Sequence, residues 1–128
     1  MFVEHVNLTV TDARRSADFY EQAFGWHTRW EGESMGGLGY TVHVGDDGSY
    51  LTLYHRLGTA EGPSAFVYDD AQVGLNHVGV VVDDLDAVHA RLVAVGVETF
   101  SHSDYEPGRR FYFNDPDGIE IEVVSYAG

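Results

Sequence analysis

Hydrophobic and polar positions alternate from Val3 to Val10, with Val6, Leu8 and Val10 on one side and His5, Asn7 and Thr9 on the other. A period of two predicts a half-buried strand. The period then changes. Ala13, Ala17, Tyr20 and Phe24 recur at helical spacing and predict a helix over 13–24. Asp12 stands at its N-cap, and Gly25 stands where a helix end favours a left-handed residue. Three shorter stretches over 26–30, 40–44 and 50–55, divided by Gly and Asp clusters, predict three more strands. The order then returns: a strand over 75–82, then a helix over 85–95 capped by Asp84, with a stripe of Leu85, Val88, Leu92 and Val95. Gly96 ends this helix, and strands follow near 97–101, 110–113 and 119–125.

The recurrence extends to identities. His5-Val6 aligns with His77-Val78, Val10 with Val82 and Asp12 with Asp84, all at an offset of 72 residues. Gly25 matches Gly96 at an offset of 71, and Asp47-Gly48 matches Asp117-Gly118 at 70. Single-residue drift is what loop changes between two copies of one unit produce. The fold class read from this is α+β: two βαβββ modules, over 1–57 and 75–128, each forming part of a cupped mixed sheet. The stretch 58–74 lacks a clear period and is read as the linker. Its length makes it a candidate lid or partner-binding segment.

Composition narrows the chemistry. The 128 residues contain no cysteine, which removes disulfides, thiolate metal sites and thiol nucleophiles. A metal would have to be held by imidazole and carboxylate, which suit iron, manganese, nickel, zinc or cobalt. A net charge of −14 without any lysine repels phosphate backbones and anionic lipid, so neither nucleic acid nor membrane is an expected partner. No apolar run is long enough to cross a bilayer, and the first residues lack the features of a signal peptide. A cytoplasmic location is expected.

Two histidines and a carboxylate stand out. His5 and His77 hold the same position in the first strand of each copy, on the face opposite its valines and leucines. In the last strand Ile119, Ile121 and Val123 form one face, and Glu120 and Glu122 the other. The matching strand of the first copy has Thr52 where Glu122 stands. Two imidazoles and one carboxylate leave about three open positions on an octahedral metal, the donor set of non-haem iron(II) enzymes. His43 shares a strand face with Thr41 and is placed at the cavity, as is Asn7 beside His5. His27, His55 and His89 have no matching partner and are read as surface or packing residues.

The chain resembles the vicinal oxygen chelate superfamily, which includes glyoxalase I, extradiol dioxygenases, fosfomycin-resistance enzymes, methylmalonyl-CoA epimerase and bleomycin-resistance proteins. The resemblance rests on 5–10 with 17–21, on Leu75-Asn76-His77-Val78-Gly79, and above all on 111–122, which contains Asp115-Pro116-Asp117-Gly118 with Glu122 four residues later. It implies one divalent metal, with Fe2+ or Mn2+ favoured over Zn2+, Ni2+ or Co2+, on His5, His77 and Glu122. That metal would chelate vicinal oxygens of a small substrate. The resemblance also implies a homodimer, with the ligands either converging within one chain or shared between chains. Glyoxalase I resembles this layout but has a second glutamate at the place of Thr52, which counts against that activity; threonine or water would take the fourth position. Extradiol dioxygenases are similar in ligand set and in Tyr112, which by analogy hydrogen-bonds a substrate oxygen. His102 lies near the place of their acid/base histidine. Fosfomycin-resistance enzymes surround their anionic substrate with cations that Arg109 and Arg110 replace only in part. The reading is therefore a metal-dependent enzyme of dioxygenase type. A lyase, isomerase or thiol transferase of the same superfamily is the alternative, and a metal-free drug-binding protein is the third.

Overall fold

Strand β1 (His5–Thr9) pairs in parallel with β4 (Tyr50–Arg56), with His5 opposite Tyr50 and Asn7 opposite Thr52. In this computed structural model the described residues are 1–58, 73–105 and 107–126. The chain divides into two compact units, Met1–Ser64 and Ala65–Gly128. The first carries a sheet of order β1-β4-β3-β2, with β2 at His27–Ser34 and β3 at Gly39–Gly45. The second carries β5-β8-β7-β6, built from Val78–Val81, Glu120–Ser125, Gly108–Asn114 and Thr99–Tyr105. In both, the first and last strands are parallel and the other pairs antiparallel. The two sheets are one topology used twice.

A parallel pair needs a crossover, and the helix supplies it. Helix α1 (Ala13–Phe24) starts on Asp12, whose carboxylate accepts from the Arg14 and Arg15 amides. It ends on Gly25 at φ 70°, in the left-handed region. Helix α2 (Leu85–Ala94) starts on Asp84, which accepts from the Ala87 amide. Each helix buries its stripe on its own sheet. Ala13, Ala17 and Tyr20 join Leu8, Val42, Val44, Leu51 and Leu53 in one core, while Leu85, Val88 and Leu92 join Phe111, Phe113, Ile121 and Val123 in the other.

The details differ from the expected pattern in instructive places. Ser16 and Ala23 belong to the buried face of α1, whereas Phe24 is half-buried and packs against Trp26 at 4.6 Å. Val95 lies just past α2 and is exposed, because Gly96 at φ 82° turns the chain away. Strands β2 and β6 run several residues beyond the expected ends. They lie at the ends of their sheets and are largely exposed, so no hydrophobic alternation marks them. Strand β5 is shorter than its alternation, and His77 precedes its first ladder residue. Most of the linker, residues 59–72, lies outside the described residues, and the lid or partner-binding expectation falls there. No described helix is long and apolar enough to cross a membrane.

Candidate metal centre

The turn before β8 sets the direction of its side chains. Asp115 is buried, and its Oδ1 accepts from the Asp117 and Ile119 amides at 2.9 Å each. Its own amide donates to the Ile119 carbonyl, and Gly118 follows at φ 84°, a conformation that favours glycine. The chain thus leaves the turn with Ile121 and Val123 towards α2 and Glu120 and Glu122 on the opposite face. The first unit uses the same device: Asp46 Oδ1 accepts from Gly48 and Ser49 at 2.8 and 3.0 Å.

Glu122 is buried, with one carboxylate oxygen on each of two partners. Oε1 lies 2.9 Å from His77 Nε2, and Oε2 accepts from Arg110 Nη1 at 3.1 Å. On the other side of the imidazole, Nδ1 lies 2.7 Å from Asn76 Oδ1. Glu120 is farther, with an oxygen 3.9 Å from Nδ1. Thus Glu122, not Glu120, faces Nε2. Oxygens on both sides of the ring make a demand. A neutral imidazole has one N–H, so with that proton on Nδ1 towards Asn76 the Nε2 lone pair calls for a cation between it and the Glu122 oxygen.

That pair fits a divalent metal. Two donors about 2.1 Å from one ion and at right angles stand about 3.0 Å apart, close to the 2.9 Å between Nε2 and Oε1. The supporting contacts also suit ligation. Asn76 fixes the N–H on Nδ1 and leaves the Nε2 lone pair for a metal, while Arg110 occupies Oε2 and leaves Oε1. Among the described residues, no group of three or more His, Asp or Glu side chains forms a finished cage. The second unit by itself therefore supplies two oriented donors.

Arg110 and Tyr112 come from β7, with Tyr112 directly opposite Glu122 in the ladder. Burial, then the Glu122 charge and hydrogen bonding to that carboxylate, push the Tyr112 phenol above its ordinary value. The phenol therefore stays protonated and able to donate. The His77 ring meets Tyr112 edge-on at 5.6 Å. His77, Arg110 and Tyr112 border a cavity of about 550 Å³, together with Asn76, Glu120 and Tyr105. Arg110 Nε and Nη2 are buried without a hydrogen-bond partner among the described residues.

The counterpart face of the first unit is built differently. His5 Nδ1 is held by Glu4 Oε1 at 3.0 Å, as Asn76 holds His77. The residue before each histidine thus orients its ring, a role that the motif around Asn76 and His77 carries but periodicity does not mark. His5 stacks on Tyr50 at 5.1 Å, Tyr50 on His43 at 4.7 Å, and His43 lies against Trp30 at 5.2 Å. Burial first, then the charges of His5 and Arg29, hold the His43 imidazole below its ordinary value. Thr52 lies opposite both Asn7 and His43, and its buried hydroxyl has no partner among the described residues. His102 borders the second unit's cavity, yet its ring stacks on Phe111 at 5.4 Å and its Nε2 meets Thr99 Oγ1 at 2.9 Å. His55, expected to be an ordinary packing residue, accepts from the Ala13 amide at 2.8 Å and so helps to cap α1.

A family model described as the Glyoxalase/Bleomycin resistance protein/Dioxygenase superfamily matches residues 3–123. The chain belongs to this superfamily. It is 30% identical to the uncharacterized protein YaeR of Escherichia coli over 94% of this chain and 93% of that one. It is 27% identical to a catechol-2,3-dioxygenase of Bacillus subtilis over 96% of this chain, which spans 41% of that protein's length. It is 26% identical to the glutathione transferase FosA of Serratia marcescens, covering 94% of this chain and 78% of that one. A solved glyoxalase/bleomycin resistance protein/dioxygenase domain from Frankia superposes with a TM-score of 0.81 at 25% identity, over 98% of this chain and 97% of that one. The superfamily contains enzymes of several reaction types, including dioxygenases and glutathione transferases.

Proposed function

We propose that this chain is a divalent-metal-dependent enzyme of dioxygenase type that holds vicinal oxygens of a small substrate beside His77 and Glu122. The observation that carries the reading is the His77–Glu122 pair at 2.9 Å, with Asn76 and Arg110 occupying the outward atoms of both side chains. His5 is retained as the third ligand on sequence grounds: it repeats His77 and its Nδ1 is held in the same way. A divalent ion, with Fe2+ or Mn2+ favoured, would act as a Lewis acid towards neighbouring substrate oxygens and stabilise the negative charge developing on them.

The chain's own residues supply the rest. Arg110 holds Glu122 in direction through its contact with Oε2. Tyr112, whose phenol stays protonated beside Glu122, can donate to a substrate oxygen. Thr52, Asn7 and His43 shape the corresponding face of the first module and offer no carboxylate base. That argues against glyoxalase chemistry. His102 has no part in the reaction in this reading, because its ring packs on Phe111 and Thr99.

The test is elemental analysis of protein purified without oxygen and without a metal-affinity tag, followed by oxygen uptake with catechols. About one equivalent of iron or manganese, lost in His77→Ala and Glu122→Ala, supports the reading. Failure to take up metal after reconstitution with several divalent ions sinks it. Metal without oxygen uptake favours the thiol-transferase alternative, to which the FosA likeness and the cavity-facing Arg110 also lean.

A further inference from the structure

The second module carries another histidine cluster that the reading above does not use. Strand β6 is bulged between Phe100 and Ser103. Inside the bulge Ser101 has φ 53°, the one positive value of a non-glycine residue among the described residues. A side chain there is disfavoured by its Cβ, and such outliers persist where the surroundings demand them. The consequence is one of direction. Phe100 stacks on Tyr112, on the cavity side. Simple alternation would put His102 on that side too. The extra residue instead brings its ring onto buried Phe111, on the side facing α2.

There it meets His89 of α2. His89 Nε2 lies 3.1 Å and His102 Nε2 2.9 Å from the same atom, Thr99 Oγ1. The two rings stand edge to face with centroids 5.2 Å apart, and both pack on Phe111. The threonine hydroxyl can bridge the two nitrogens, either accepting an N–H from both rings or donating to one and accepting from the other, and the two Nε2 atoms converge on it. A cation between them lets both lone pairs be used at once. Imidazole pairs of this kind suit Zn2+, Ni2+ and Cu2+. The His102 side is exposed, so water can complete the coordination.

We propose that His89 and His102 form a second binding site for one first-row transition-metal ion, with the Thr99 hydroxyl at its base. This site faces α2 and is chemically separate from the His77–Glu122 pair. The bulge at Ser101 is the feature that builds it, because it moves His102 to the face of Thr99.

The experiment uses a His5→Ala/His77→Ala protein, which lacks both histidines of the first site but keeps the Glu122–Arg110 pair. Calorimetric titration with Zn2+ is expected to show one equivalent bound. Adding His89→Ala or His102→Gln is expected to weaken that binding by about tenfold or more. With Cu2+, electron paramagnetic resonance is expected to report two equatorial imidazole nitrogens. Absence of Zn2+ binding in the parent variant overturns the proposal, as does binding that neither substitution changes. Circular dichroism of each variant checks that the fold is kept, with His102→Gln retaining a hydrogen-bonding group towards Thr99. Because the first site is already removed, failure here leaves the His77–Glu122 reading standing.

Discussion

The two modules share a topology and a method of building a core, yet they spend their polar faces differently. In the second, β7 and β8 place Arg110, Tyr112 and Glu122 together beside His77. At the corresponding ladder positions the first has Thr41, His43 and Thr52. Its histidine stands opposite Tyr50 in the ladder, and its face is a run of stacked rings from His5 through Tyr50 and His43 to Trp30. The comparison separates two kinds of conservation between copies. The turn aspartates, the helix caps and the core repeat because the fold needs them. The side chains on the face away from the helix diverge because the helix-facing core places no demand on them. Duplication thus supplies two frames, and chemistry occupies one of them more fully.

Ligand removal gives the largest expected contrast. His77→Ala or Glu122→Ala should abolish stoichiometric iron or manganese, whereas Thr52→Ala should leave it unchanged, as read by elemental analysis of purified protein. Metal loss in Thr52→Ala would make the first module a direct partner in ligation. The cores come next and should respond alike. Leu53→Ala and Leu92→Ala, each fully buried, should each cost about 2–5 kcal/mol in chemical denaturation. A large inequality would show that one module carries the stability of both.

The orienting residues follow. Arg110→Met and Asn76→Ala should weaken metal affinity about 10–100-fold, while Thr41→Ala, at the position matching Arg110, should not change it. Glu122→Ala differs from Arg110→Met in removing a donor rather than its support, so the two should be separable by titration. Smaller still is the effect of the unpartnered Thr52 hydroxyl. Thr52→Val should stabilise the protein by about 1 kcal/mol, because a buried polar group without a partner carries a desolvation cost. A destabilisation would mean that the hydroxyl is satisfied by water.

The smallest effect is expected from pH. Backbone N–H donation from Ser49 and Gly48 holds the Asp46 carboxyl below its ordinary value. The unfolded chain therefore binds a proton that the folded chain does not. The associated stability is present above the unfolded value near 3.8 and is lost as pH falls through the lower folded value. Asp46→Asn should remove that component, seen as a shallower loss of stability in acid denaturation.

Local signals along the chain were enough to read the helices, the repeat and the candidate residues. Helix α1 was legible to the residue because Asp12, the apolar stripe and Gly25 are local signals. His77 and Glu122 were legible as side chains that leave the core because strand periodicity marks the face opposite the helix, and the family resemblance of the Asp-Pro-Asp-Gly segment singled out Glu122. The structure brings these two to 2.9 Å, while His5 belongs to the other unit. Strands β2 and β6 were legible only in part, since an exposed sheet edge imposes no hydrophobic alternation. The tertiary structure decided what each polar side chain faces. That Arg110 holds Glu122 and that His102 turns towards His89 depend on neighbours brought together by strand register and helix packing, whereas Glu4 and Asn76 reach the two histidines from the preceding position in the chain. A one-residue bulge reverses the face of a side chain, and no local pattern in Ser101-His102-Ser103 announces it.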